Sequence, residues 1–138
     1  MKRISLFMLL CLLLVGCGNK SSSKYDIVGT WQVVNVSSGN DLDGEFSEDI
    51  TYVWYWTFEK NGKLVESEET KDGGIHSSST TWSLSGDVVT IEDDAYKILE
   101  YDPKTLVIRY SEYTEYLKHD SEYKGKQVHS WLQYKLTR

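Results

Sequence analysis

The chain has 138 residues, two cysteines and a formal net charge of −6. That length is one domain's worth, enough to bury a real core. So acidic a chain is a poor partner for nucleic acid, whose phosphates need a basic surface.

The N-terminus opens on Met1-Lys2-Arg3, and residues 4–15 then run almost unbroken in apolar side chains. A basic start, an apolar run and a small residue at the cut site describe a secretory signal peptide. The run is too short to span a bilayer, which takes roughly 20 apolar residues. It ends in Leu14-Val15-Gly16-Cys17, which resembles the lipobox of bacterial lipoproteins. The resemblance implies that residues 1–16 are removed and that Cys17 carries diacylglycerol and further acyl chains such as palmitate. Two or three such chains anchor stably where one binds marginally. Cleavage would discard Lys2, Arg3 and Cys11 and no acid, leaving 122 residues of net charge −8. Cys17 is then the sole cysteine, so the mature domain has no disulfide and no cysteine nucleophile. Residues 17–25 read as the lipidated cysteine and a flexible Gly/Ser-rich tether. The expected location is the cell envelope, on the outer membrane facing the periplasm, with the cell surface as the alternative.

Residues 26–138 read as one all-β domain. Short segments rich in Val, Ile, Thr, Tyr and Trp alternate with Gly, Asp, Asn and Ser, and no helical period holds for three turns. Eight strands are expected near residues 27–36, 50–59, 63–70, 78–85, 87–92, 95–101, 105–111 and 128–137. Asn61-Gly62 predicts a two-residue hairpin loop, since both residues tolerate positive φ. Gly86-Asp87, Asp93-Asp94 and Asp102-Pro103-Lys104 mark further tight turns. Such turns make sequential strands pair in order, as an up-and-down antiparallel meander. Closing it removes two exposed edges and predicts an eight-stranded antiparallel β-barrel. A barrel of that size is either filled by side chains or holds one small ligand.

Alternation assigns the faces. Tyr52, Trp54, Trp56 and Phe58 share one side of the second strand, and Trp82, Tyr96, Tyr110 and Tyr134 stand at matching positions elsewhere. Trp56 and Trp82 are expected in a filled core. Tyr52, Trp54, Tyr110 and Tyr113 are the candidate ligand-binding residues near the mouth.

The first strand begins Ile27-Val28-Gly29-Thr30-Trp31, and Trp56-Thr57-Phe58-Glu59-Lys60-Asn61-Gly62-Lys63 forms a W-x-F-x-x-x-G-K hairpin. With the segments at Thr81-Trp82, Tyr96-Lys97-Ile98 and Tyr134-Lys135-Leu136, this series resembles the G-x-W signature and strands of the lipocalin and calycin superfamily. It is similar above all to small lipocalin-like domains of bacterial lipoproteins. The resemblance implies the barrel fold and, in larger relatives, an arginine packed across the G-x-W tryptophan; Arg138 is placed to do this for Trp31. The long helix before the last strand and the disulfide of larger lipocalins are missing.

Other patterns lead to bland readings. Asp41-Leu42-Asp43-Gly44 lies in an acidic stretch, residues 37–49, expected to be a solvated loop; a calcium loop started at Gly39 would put Ile50 where the bidentate glutamate belongs. His76, His119 and His129 show no metal-ligand spacing, and no nucleophile motif is present. No metal, cofactor or enzymatic activity is expected. Residues 112–126 form either an extended hairpin or a lid over the mouth. Two functional readings stay open: binding of a small or lipophilic ligand, and an envelope interaction or structural module with a filled barrel.

Overall fold

A computed structural model describes residues 24–115 and 125–138. Cys17, the signal segment and most of the tether lie outside the described residues, as do Tyr116, Leu117, His119 and Tyr123. The chain forms β1 (Gly29–Asn40), β2 (Gly44–Asp49), β3 (Trp54–Phe58), β4 (Lys63–Glu69), β5 (Ile75–Ser85), β6 (Val88–Ile91), β7 (Asp94–Asp102), β8 (Thr105–Glu115) and β9 (Gln127–Thr137).

All pairings are antiparallel and follow chain order from β3 to β9, and β9 returns to β1 to close the sheet. Eight strands therefore form the expected barrel. The ninth, β2, is an addition to it. β1 is long, and one of its edges serves two neighbours: Gly29 to Gln32 pair with β3, and Asn35 to Asn40 pair with β2. Between them β1 carries a bulge at Val34, whose carbonyl accepts from Ile50 N at 2.9 Å. The extra residue bends β1 so that its outer half flares with β2 above the barrel.

Three expectations are corrected here. Residues 37–49 are not a solvated loop but the arms and turn of the β1–β2 hairpin. The Asn40 carboxamide organises the turn by accepting from Leu42 N and Asp43 N, both at 2.8 Å. Residues 50–53 are not strand, so the element after the hairpin begins at Trp54. The β3–β4 connection is a three-residue loop, with Glu59 N donating to Lys63 O at 2.8 Å and Gly62 at φ +84°. A residue with Cβ would be strained at that φ, and its Cβ would sit 3.3 Å from the Trp82 carbonyl.

The two ends of the barrel differ. At the end where β1 begins, Trp31, Phe58, Leu64, Leu106 and Leu136 are completely or almost completely buried. Arg138 covers this floor. Its guanidinium lies 4.1 Å from the Trp31 ring and donates to the carbonyls of Val28, Asp26 and Pro103. The Trp31 indole donates to Ile27 O at 2.8 Å. Arg138 thus takes the position that the family resemblance implied. At the other end, inward positions such as Glu68, His76 and Ser78 are exposed, so that end is the mouth.

β8 and β9 pair as far as Glu115 and Gln127. Both flanks of the 112–126 stretch are therefore the arms of an extended hairpin.

Candidate functional site

Register decides what faces the mouth, because paired residues on antiparallel strands project from the same side. Trp54 and Trp56 pair with Glu68 and Glu66. Tyr96 pairs with Tyr110, and Tyr110 with Leu132. Val36 pairs with Tyr134. One ring of inward side chains below the mouth is therefore largely aromatic.

The rings touch in series. Tyr52 stacks on Trp54 with centroids 6.3 Å apart. Trp54 meets Tyr134 edge-on at 5.9 Å, and Trp56 meets Tyr134 at 4.8 Å. Tyr134 then reaches Tyr96 at 6.2 Å, and Tyr96 reaches Tyr110 at 5.8 Å. Trp56 and Tyr96 are buried, whereas Trp54, Tyr110 and Tyr134 are half-buried. The band thus has a packed lower edge and an accessible upper one. Small recesses open along the rim. One of about 300 Å³ is lined by Tyr52, Glu68, Glu69, Thr70 and Lys71. Another of about 190 Å³ is lined by Tyr110, Glu112, Ser130, Trp131 and Leu132.

Of the four residues singled out in the sequence, Tyr52, Trp54 and Tyr110 join this band. Tyr113 does not. It stands at odd parity to Tyr110, is 72% exposed, and packs on His129 at 4.8 Å on the outer face. Trp56 is core as expected, but Trp82 is only half-buried; it packs on Phe58 at 5.2 Å and donates its indole N–H to Glu59 O.

Sequence reading missed Glu66. Its carboxylate lies on the inner wall, and the Trp54 and Trp56 indoles and the Tyr96 and Tyr134 hydroxyls all sense it electrostatically. Burial raises its pKa above the ordinary carboxylate range, Glu68 and Glu92 add to the rise, and the two indole N–H groups pull the other way. Tyr96 is pushed up to about 12, first by burial and then by Tyr134, Asp94 and Glu66. The Trp56 N–H is fully buried and has no partner at hydrogen-bonding geometry. Its influence on Glu66 is therefore that of an aimed dipole rather than a formed bond.

The raised Glu66 carboxyl makes stability depend on pH. The fold favours its protonated form, so this contribution is fully present below the ordinary carboxylate pKa and is lost as pH rises through the raised folded value. Glu66→Gln stays neutral throughout. Its melting temperature should exceed the wild type's at pH 7, with the gap closing towards about pH 4. Thermal melts by circular dichroism across that range check this, and a variant less stable at pH 7 contradicts it.

Among the described residues, no group of three or more His, Cys, Asp or Glu could hold a metal ion. Asp41 instead accepts from His129 N and lies 3.9 Å from the His129 imidazole, tying the β1–β2 turn to β9.

Residues 27–108 match the family model of the lipocalin-like domain. Two solved structures share the fold. A lipocalin-like protein from Bacteroides uniformis is 18% identical at a TM-score of 0.55, covering 83% of this chain and 99% of its own. An uncharacterized protein from Bacteroides eggerthii is 15% identical at a TM-score of 0.53, covering 82% and 99%. No curated protein matches the chain significantly. With its G-x-W strand on the barrel floor and a family model spanning more than half its length, the chain belongs to the lipocalin-like domain family.

Proposed function

We propose that this protein is a non-enzymatic binding protein of the bacterial cell envelope, held to the membrane by lipid on Cys17 and taking a small or lipophilic ligand at the barrel mouth. The observation that carries this reading is the aromatic band from Tyr52 through Trp54, Tyr134 and Tyr96 to Tyr110, whose upper edge is accessible. Ligand sites are concave, mostly apolar surfaces with a few fixed polar groups, and the opening of an eight-stranded barrel is one such place. The closed end, sealed by Trp31 and Arg138, would direct a ligand to the opposite end. The anchor on Cys17 would hold the domain beside a membrane from which a lipophilic ligand could partition.

A second reading is an interaction module with a filled barrel. It draws on Phe46 and Tyr113, which are 62% and 72% exposed on the β1–β2 and β8–β9 arms. Native mass spectrometry of the protein extracted from its membrane separates the two. Ligand binding predicts an added mass that organic solvent removes. A protein of bare polypeptide-plus-anchor mass that also fails to take up lipophilic probes would favour the interaction module.

A further inference from the structure

The charges of the barrel are sorted by face. Every lysine or arginine within a strand, namely Lys63, Lys97, Arg109 and Lys135, stands at an outward position. Five strand acids stand at inward positions towards the mouth: Glu48, Glu66, Glu68, Asp94 and Glu112. Glu92 adds to them from the β6–β7 turn, where its carboxylate accepts from Thr80. No strand lysine or arginine shares the inner face among the described residues, and the β4–β5 turn contributes Lys71 to the rim beside Glu68 and Glu69. Below the rim, a ligand descending into this mouth meets inward acids on several strands and no strand cation, which disfavours a lipophilic anion.

Two features mark the bottom of the mouth. Glu66 is a carboxylate on an aromatic wall formed by Trp54, Trp56, Tyr96 and Tyr134, with no cationic partner among the described residues. The Trp56 N–H beside it is buried, in a residue only 3% exposed, and unpartnered. A half-buried carboxylate facing aromatic rings is costly when empty, and it is the arrangement that suits an organic cation. The carboxylate neutralises a cationic head, and the aromatic band beside it gives that head rings to pack against. A cation there also favours the ionised form of Glu66, the form that best accepts from the Trp56 N–H.

Resting on the binding function proposed above, we propose that the ligand is an amphiphilic organic cation, an amine or quaternary ammonium on an apolar body, with its head at Glu66 beside Trp54 and Tyr134. The cation is selected against anions by the acidic mouth and recognised by the aromatic wall.

The test compares three probes that share one tail: dodecyltrimethylammonium, dodecanol and dodecanoate. Each is titrated below its micelle concentration into the full-length protein in detergent-free nanodiscs of zwitterionic lipid, with tryptophan fluorescence as the readout. The ammonium should bind at least tenfold more tightly than the alcohol, and the carboxylate most weakly. Glu66→Gln should reduce the ratio of ammonium to alcohol affinity at least tenfold. Dodecanoate binding as well as the ammonium, or a ratio unmoved by Glu66→Gln, overturns the cation assignment while leaving ligand binding in place. If no probe binds, the binding function and the cation assignment fall together. The wild-type series needs no variant, so it decides the matter by itself.

Discussion

Trp31→Ala should cost about 3–5 kcal/mol of folding stability, the range for deleting a large buried aromatic ring. Trp31 is entirely buried. It pairs with Trp56 across β1 and β3, its indole N–H is bonded to Ile27 O, and its outer surface carries the Arg138 guanidinium. Removing the ring leaves a cavity at the barrel floor and leaves the Ile27 carbonyl without that donor. It also takes away the surface that holds Arg138 over three carbonyls, so the loss spreads to the chain end. Domains of this size are typically stable by only 5–15 kcal/mol, so a large part of the total is at stake. Urea unfolding followed by circular dichroism measures it as a lower midpoint at unchanged slope. A loss below about 1 kcal/mol would show that the floor does not depend on Trp31. Trp31→Phe keeps most of the apolar volume and should recover more than half the loss. Because Trp31 lies at the sealed end, the folded fraction should bind mouth ligands as the wild type does.

How much of this was legible in the sequence depends on which physical signal carried each part. The barrel was, because alternation in Trp54-Tyr55-Trp56-Thr57-Phe58 and in the later strands has one period and one hydrophobic side. The role of Arg138 was legible only through the family resemblance; a terminal arginine carries no such signal alone. β2 was hidden because Gly44-Glu45-Phe46-Ser47-Glu48-Asp49 has a loop's composition, and every one of its residues is exposed. Its strand form comes from the ladder to the flared half of β1, a tertiary circumstance that local propensity does not encode.

The acidic wall was hidden for a sharper reason. A two-residue loop at Asn61-Gly62 would pair Trp56 with Ser67 and turn Glu66 outward to solvent. The observed loop adds Lys60, so Trp56 pairs with Glu66 and the carboxylate faces in. One residue of register moves every side chain of a strand to the other face. The clue lay in Leu64, which needs burial and shares its parity with Glu66 and Glu68. Given Leu64 inward, both acids follow. Tyr113 failed by the same rule: three positions after Tyr110, it falls on the outer face.

Trp54→Ala should give the opposite profile to Trp31→Ala. Trp54 is half-buried and stands between the core and the mouth, stacked under Tyr52 and edge-on to Trp56 and Tyr134. Its upper surface already meets water, so truncation should cost under about 2 kcal/mol of stability. For a ligand in the mouth, the same ring is the aromatic wall nearest the opening, and losing its burial against the ligand forfeits roughly 1.5–3 kcal/mol. At about 1.4 kcal/mol per decade, dodecyltrimethylammonium affinity should fall at least tenfold. Fluorescence titration of Trp54→Ala, followed through the remaining tryptophans, alongside urea unfolding measures both quantities on one sample. Unchanged affinity with a large stability loss would mean that Trp54 is simply core and that the mouth lies above it. The reverse pattern, set beside a Trp31 variant that unfolds more easily yet still binds, would separate the barrel into a floor that holds the fold and a wall that holds the ligand.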